Sequence, residues 1–425
     1  MLYERWREIA GKRRDAIALR DFDSGQRWTF AELLAAGESW KSAPASGPAS
    51  GGGLAFPRGH SPEFIFNLLA AWRENQVVCP LETGQSPPEV SRPPKNCVHF
   101  KSTSATTGAA RLVAFTAGQL MADAENIVAT MGLRADWPNL GVISMAHSYG
   151  FSNLVLPLLL HGIPLILAPV PLPEIIRRAA ENEPAVTLAA VPAMWRAWHA
   201  AGAIPPNVRL AISAGAPLPV TLEQEVFNAS GLKIHNFLGS SECGGIAYDA
   251  NETPRTDAAL AGAPLRNVDL SVNADGCLTV RSRAVGETYW PEKSPTLGGG
   301  LFQTCDLAEI NDGQVFLRGR RGDQINIAGR KVSPETIERA LLAHPQVREC
   351  LVFGVPSRNA ERLEIIVAVV AGETDERLLK QFLLARLPAW QVPREWRFVA
   401  ALQANPRGKV SRADWRRRWL ADAPA

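Results

Sequence analysis

"LGVISMAHSYGFSNLVLPLLLHGIPLILAPV", Leu140 to Val170, carries the fold in miniature. Short runs of Val, Ile, Leu and Ala stand at either end, "LGVISMA" and "PLILAPV". The apolar stretch Leu154 to Val170 is broken by Pro157, His161, Gly162 and Pro164. It falls short of the ~20 uninterrupted apolar residues that a spanning helix needs. It reads instead as a buried helix, a turn and a buried strand. Two more runs of the same kind follow, "VTLAAVP" and "VRLAISAG", with helical segments between them. Strands apolar on both faces and separated by helices pair in parallel under layers of helix. The region up to about residue 245 therefore reads as layered parallel α/β structure.

Beyond it the texture changes. Between residues 262 and 318, "VDLSV", "CLTVRS" and "GQVFLRG" alternate, divided by turn dipeptides such as Asp275-Gly276 and Asp312-Gly313. That pattern predicts a small β subdomain. After "RGRRGD", the segment "SPETIERALLA" opens a helix, with Ser333 as N-cap and Pro334 at the first helical position. Strands "ECLVFGV" and "LEIIVAVVA", a helix over "ERLLKQFLLARL" and a strand "EWRFVAAL" complete an α+β unit. The expected division is a large N-terminal domain, 1–319, and a small C-terminal domain, 320–425. In the first part, "EFIFNLLAAWREN" has helical periodicity and "VVCPL" reads as a short strand. Lys41–Gly53 and Thr83–Asn96 read as surface loops.

The chain has 425 residues, of which 46% are apolar and 20% charged, enough to fill real cores. A formal charge of +3 points to neither nucleic acid nor membrane, and the basic run Arg407 to Trp419 reads as a solvated helix face. Six scattered cysteines without a CxxC pair fit reduced thiols in a cytoplasm. The charged start has no signal-peptide pattern, and no transmembrane segment is expected.

The chemistry begins in "FKSTSATTGAARLVAFT", Phe100 to Thr116, where Ser102, Thr103, Ser104, Thr106 and Thr107 crowd around Gly108. Such a loop is either a solvated linker or a cradle for phosphate oxygens. It lacks the Gly-Lys-Ser/Thr ending of a Walker loop. Further segments decide. "NFLGSSECGG", Asn236 to Gly245, sets Ser240, Ser241 and Glu242 beside glycines, hydroxyls for phosphate and a carboxylate for Mg²⁺. "FQTCDLAEI" offers Asp306 to sugar hydroxyls. "RGRRGDQINIAGRKV" supplies cations and glycines, and "NPRGKVSR" presents Lys409 beside Gly408.

In this order the segments resemble the adenylate-forming superfamily, which includes acyl-CoA synthetases, peptide-synthetase adenylation domains and luciferases. "TSATTGAARLV" resembles its phosphate loop TSGTTGxPKGV, "MAHSYG" its PLFHxxG, "SAGAPL" its GGAPL and "LGSSE" its YGxTE. "TCD" resembles TGD, "GRRGDQINIAG" GRxKDxIKxxG, and "NPRGKVSR" the terminal TxxGKxxR. The resemblance implies a large domain of layered α/β subdomains with a small β subdomain, then a small mobile α+β lid. It implies that ATP and a carboxylic acid form an acyl-adenylate and pyrophosphate. Lid rotation would then let a thiol, of CoA or of a carrier protein's phosphopantetheine, displace AMP. By the same resemblance Thr103, Ser104, Thr106, Thr107, Gly108 and Arg111 hold the β- and γ-phosphates. Ser241 meets the α-phosphate, Glu242 and Thr106 face Mg²⁺, and Asp306 and Arg320 bind ribose. Gly215, Ala216, Pro217, Leu238, Gly239, Ser240 and Lys331 complete the nucleotide site. Lys409 stabilises charge at the reacting carboxylate and α-phosphate. His147 lies near the acyl carboxylate, or is a structural loop histidine.

This chain departs from the pattern at Ala105, Ala110 and Leu112 in the phosphate loop, where Arg111 replaces lysine. Leu238 stands where an aromatic ring usually stacks on adenine, and Cys305 replaces the glycine of TGD. Asn326 replaces a lysine, and Gly322 takes the hinge position, which glycine suits. Only about 100 residues precede the phosphate loop, so the first subdomain is trimmed and its sheet is in question. No acidic residue stands in "MAHSYGFSN" to pair an α-ammonium, which favours an aryl or aliphatic acid. Two other readings stay open: a carrier-protein loading enzyme, and a nucleotide-binding regulator without turnover.

Overall fold

The computed structural model describes residues 1–41, 53–90, 92–103, 111–327, 329–357, 364–403 and 410–422. The stretch from Leu140 folds as its composition predicts. Asn139–Gly141 is a buried strand, Leu156–His161 a buried helix, and Leu165–Leu167 a second buried strand. Gly162 ends the helix in the left-handed region, where it accomplishes the turn. One turn of π-helix, Phe151–Val155, precedes the helix.

The strands of this half lie parallel in the order Ile17–Asp21, Leu165–Leu167, Asn139–Gly141, Val186–Ala190, Val208–Ser213 and Ile234–Ser240. The last is a seam. Its Ile234, His235 and Asn236 pair in parallel with Ala211, Ile212 and Ser213, whereas Phe237 to Ser240 pair antiparallel with Gly244–Tyr248. From there the sheet continues antiparallel through Leu260–Pro264, Gln314–Arg320, Leu301–Asn311, Cys277–Ser282 and Val268–Val272. The β subdomain is thus fused edge to edge with the parallel layer, because one long strand serves two partners in succession. Asp312 and Gly313 both have positive φ in the two-residue hairpin between paired Asn311 and Gln314, the geometry that Asp-Gly favours.

A second sheet runs Thr288–Trp290, Leu112–Phe115, His99–Ser102, Val77–Val78 and Leu54–Ala55. The part of the chain before residue 103 thus contributes strands to a sheet. Its outermost strand, Thr288–Trp290, arrives from the β subdomain and pairs Tyr289 with Val113. The helix predicted over "EFIFNLLAAWREN" is Pro62–Arg73, and its buried side chains include Phe64, Ile65, Leu68 and Leu69.

The C-terminal lobe has a sheet of Val347–Pro356, Glu364–Gly372 and Glu395–Val399. Helices Pro334–Leu342 and Glu376–Leu384 share one core with it, through Ile337, Leu341, Leu379 and Leu383. Helix Arg412–Asp422 sits in a second core through Trp415, with Phe353 and Val367. Ser333 does precede the helix as N-cap, but its hydroxyl donates to Glu335 instead of capping a backbone N–H. Where the lobes meet, Arg339 Nη1 donates to Leu317 O at 3.0 Å. Gly319 has φ 121°, and a Cβ there would lie 1.7 Å from Ser333 Oγ. Only glycine stands at that contact without displacing the start of helix Pro334–Leu342. Among the described residues no helix is long and apolar enough to cross a membrane.

Candidate active site

Three of the motif segments leave the carboxyl ends of parallel strands. Met145–Gly150 follows Asn139–Gly141, Ala214–Leu218 follows Val208–Ser213, and Ser241–Cys243 follows Ile234–Ser240. In open α/β sheets the crevice outside those ends is where ligands bind. The hydroxyl-rich segment reaches it from the second sheet. Its strands pair Ser102 with Leu112. Thr103 N–H donates to Arg111 O at 2.8 Å, and Thr103 Oγ1 accepts from Arg111 N–H at 3.1 Å. The mouth of the loop is thereby closed. Ser104, Thr106, Thr107 and Gly108 lie outside the described residues.

Ser241 joins these segments. Its Oγ accepts from Ser148 Oγ at 2.9 Å and donates to Ser102 O at 3.5 Å. Next to it, Glu242 Oε1 accepts the Tyr289 hydroxyl at 3.0 Å, and Glu242 O accepts from Gly286 N–H at 2.8 Å. The Arg111 guanidinium carbon lies 4.0 Å from the centroid of the same Tyr289 ring. Burial and the Glu242 carboxylate push the Tyr289 phenol up, so it stays protonated and donates. Tyr289 is absent from the sequence-based assignment. Its place depends on Thr288–Trp290 crossing between sheets, which periodicity does not reveal.

Beneath the turn lies a buried ion pair. Asp123, on helix Ala117–Met131, accepts at Oδ2 from Lys101 Nζ at 3.1 Å and from Ser152 Oγ at 2.6 Å. Its Oδ1 accepts from Gly245 N–H at 3.1 Å. Lys101 and Asp123 side chains are each 1% exposed. Gly244 has φ 70°, and a Cβ there would lie 1.9 Å from Asp123 Oδ1. The carboxylate and the left-handed glycine thus fix the course of the turn together. The sequence offered one signal for this: Lys101 is a charge within the short strand His99–Ser102.

His147 stands at the start of the short helix Ser148–Gly150. Its Nδ1 accepts from Tyr149 N–H at 3.3 Å and caps the short helix Ser148–Gly150. Gly215, φ 84°, begins an exposed stretch with Ala216 and Pro217. Leu238 is half-buried against the main core, and Gly239 and Ser240 finish the seam strand. Ser240 Oγ accepts from Glu242 N–H at 3.2 Å. Asp306 and Arg320 face each other across paired strands, with Arg320 Nε donating to Asp306 Oδ1 at 2.8 Å. The Asp306 charge holds the Arg320 guanidinium above its ordinary value. Cys305, beside Asp306, is an exposed free thiol. Gly322 is exposed in the turn Arg321–Asp323, and Lys331 is exposed on a hairpin of the C-terminal lobe. No hydrogen bond among the described residues ties Asp306, Arg320 or Lys331 directly to Ser241.

Lys409 lies outside the described residues; Arg412, three positions on, is described. Arg412 donates to Glu338 at 2.9 Å, to Asp323 at 2.6 Å and to Val352 O at 2.8 Å. Asp323 adjoins Gly322, the position expected to serve as hinge. The last arginine of "NPRGKVSR" was the signal for this anchor.

The donors around Ser241 and Glu242 are hard oxygens. Among the described residues no group of three His, Cys, Asp or Glu side chains converges on a point. That set does not fit a structural zinc site. It fits Mg²⁺, which takes one or two carboxylates and completes its shell with waters and phosphate oxygens.

The chain matches two family models, "AMP-binding enzyme" over residues 88–290 and "AMP-binding enzyme C-terminal domain" over residues 336–409. Together they take in well over half of it. It is 28% identical over 223 residues to the uncharacterized acyl-CoA ligase YhfT of Bacillus subtilis, covering 50% of this chain and 46% of that one. It is 27% identical over 234 residues to the long-chain-fatty-acid–CoA ligase FadD13 of Mycobacterium tuberculosis, covering 52% and 46%. Against 2-succinylbenzoate–CoA ligase of Bacillus mycoides the figures are 27% over 335 residues, 74% and 69%. In the first two comparisons the match spans about half the relative's length. In fold the chain is similar to ATP-bound MatB from Rhodopseudomonas palustris, TM-score 0.85 at 20% identity over 98% of both chains. It is also similar to MenE from Bacillus subtilis with an acyl-adenylate, TM-score 0.82 at 19% identity over 99% and 98%. Motif order, sheet topology and both family models agree: this chain belongs to the adenylate-forming superfamily of AMP-binding enzymes.

Proposed function

We propose that the protein is an AMP-forming acid–thiol ligase that activates a carboxylic acid with ATP and passes the acyl group to CoA. The observation that carries this reading is the Ser241 hydroxyl, which joins Ser148 of one motif to the Ser102 carbonyl at the phosphate loop. A phosphate at that junction meets two hydroxyl donors, Ser241 and Ser148, from different motif segments beside the mouth of the loop.

In the first half-reaction a carboxylate oxygen attacks the α-phosphorus of ATP. The new acyl–phosphate bond forms as the α–β bridge breaks, and pyrophosphate leaves. Thr103 and Arg111 at the loop mouth, with Ser104, Thr106, Thr107 and Gly108, hold the leaving phosphates. Ser241 directs the α-phosphate, and Asp306 and Arg320 take the ribose. Mg²⁺, when bound at Glu242 and Thr106, neutralises phosphate charge. Lys409 stabilises the charge that grows between carboxylate and phosphorus. In the second half-reaction the lid, residues 320–425, turns about Gly322. The thiol sulfur then attacks the acyl carbon, loses its proton to solvent and expels AMP. Most of the catalysis is positioning and charge stabilisation, as phosphorus transfer requires.

The acid lacks an α-amine. Within the Met145–Asn153 segment Ser152 donates to Asp123, and that carboxylate is already paired with Lys101. No carboxylate of that segment is left for an ammonium. The named acids of the relatives, long-chain fatty acids and 2-succinylbenzoate, also have none.

The test is hydroxamate formation from ATP, Mg²⁺ and hydroxylamine across a panel of acids, then a comparison of CoA with a holo-carrier protein as acceptor. Hydroxamate from amino acids alone would overturn the acid class. No hydroxamate from any acid, with ATP still bound, would favour a nucleotide-binding regulator.

A further inference from the structure

Glu242 and Arg111 approach the nucleotide from different elements, a turn after the seam strand and the exit of the phosphate loop. They share one neighbour. Tyr289 gives its hydroxyl to Glu242 Oε1 at 3.0 Å and its ring face to Arg111 at 4.0 Å. The ring is 3% exposed and is fixed by strand pairing, Tyr289 opposite Val113. The segment before it is strapped to both elements, since Gly286 N–H donates to Glu242 O and Glu287 N–H to Ala114 O, each at 2.8 Å. Packing alone would be satisfied by phenylalanine. A buried hydroxyl is unfavourable unless paired, and the partner given to this one is Glu242.

The geometry has consequences for each neighbour. With the phenol on Oε1, the other carboxylate oxygen is left to face a cation. Outer-shell donors of this kind orient a ligating carboxylate, and their loss typically lowers metal affinity 10–100-fold. The Arg111 backbone is tied to Thr103 in both directions, so the ring settles where its guanidinium lies. A guanidinium stacked on a ring keeps its N–H donors in plane, free for phosphate oxygens.

We infer that Tyr289 is a positioning residue that sets the metal-facing oxygen of Glu242 and the phosphate-facing guanidinium of Arg111 from a single side chain. The inference rests on the ligase reading above. It adds that metal and phosphate binding are coupled through this phenol.

The test is equilibrium titration of ATP into the full chain, with Mg²⁺ and with EDTA in its place, for wild type, Tyr289→Phe and Tyr289→Leu. Thermal midpoints check that each variant is folded, and the conservative Tyr289→Phe carries the test should Tyr289→Leu fail to fold. Tyr289→Phe keeps the ring and loses the hydroxyl. Its ATP affinity with Mg²⁺ should fall ~10-fold, with metal-free affinity unchanged. Tyr289→Leu also removes the perch for Arg111, and metal-free affinity should drop a further ~3-fold. An Mg²⁺ effect in Tyr289→Phe equal to wild type would overturn the inference. So would an equal loss with and without metal, which marks a general disturbance of the loop. Wild-type protein that binds no ATP in either buffer would refute the ligase reading itself, and this inference with it.

Discussion

Replacing Asp123 with asparagine should destabilise the large domain far more than replacing Lys101 with methionine, although the two side chains form one ion pair. The two ends of the pair are not equally supplied. Asp123 has three donors: Lys101 Nζ, Ser152 Oγ and Gly245 N–H. Lys101 has one counter-charge, with Ser152 Oγ at 2.9 Å and the Phe115 ring 4.7 Å from its Nζ as lesser partners. Both are out of water, so removing the carboxylate charge leaves a buried cation uncompensated. Breaking a buried pair in this way costs ~3–5 kcal/mol. Lys101→Met leaves the carboxylate with a hydroxyl and a backbone N–H, and should cost roughly half as much. The double variant Lys101→Met/Asp123→Asn should recover part of the loss, a coupling of ~1–3 kcal/mol. Urea denaturation of the four proteins, followed by tryptophan fluorescence, measures the cycle. With Oδ1 kept on Gly245 N–H, the Nδ2 of asparagine would face the Lys101 ammonium, so Asp123→Asn should also disturb the turn and weaken ATP binding. Equal midpoints for the two single variants would refute the reasoning, since they would show that the carboxylate suffers as much without Lys101 as Lys101 does without the carboxylate.

Lys409→Ala should lower adenylate formation by ~10²–10³ and spare thioester formation from supplied acyl-adenylate; pyrophosphate release and CoA consumption read the two halves separately, and equal loss of both would count against the assignment. Arg412→Ala should leave Glu338 and Asp323 without their cation, loosen the lid core by ~3 kcal/mol and reduce adenylation along with it; proteolysis of the lid at rising urea measures the first effect. His99 is fully buried against Phe151, and neither ring nitrogen has a hydrogen-bond partner. Burial, with help from Lys101, holds its imidazole well below the ordinary 6.5, so the unfolded chain takes up a proton as pH falls through that value and the folded chain does not. The stability this residue contributes is complete above pH ~6.5 and is lost on acidification, by about 1.4 kcal/mol per pH unit. His99→Phe should therefore show a urea midpoint that drops less between pH 7.5 and 5.5 than that of wild type, and parallel pH profiles would refute this.

Much of the molecule is legible in the chain because its signals are local. Apolar runs of strand length, Gly162 after a short helix, Asp312-Gly313 at a hairpin and Pro334 after Ser333 each act within a few residues of themselves. Motif order likewise named the superfamily and the residues expected at the nucleotide. The first 40 residues were less legible. Helix Leu2–Lys12 and strand Ile17–Asp21 are charged and short, and they gain their order by packing Trp6 on Phe30 and by joining the edge beside Leu165–Leu167.

What only the tertiary structure decided are the partners. Lys101 and Asp123 are 22 residues apart, Glu242 and Tyr289 47, Ser148 and Ser241 93. Periodicity tells a strand which face is buried, but not which strand will lie beside it. That choice follows from the double pairing of Ile234–Ser240 and the crossing of Thr288–Trp290, where the cost of closing long loops is repaid by contacts made across the whole sheet. The sequence thus determined which groups the protein carries for its chemistry. The sheet order decided that a tyrosine from one subdomain would stand between the carboxylate and the guanidinium of two others.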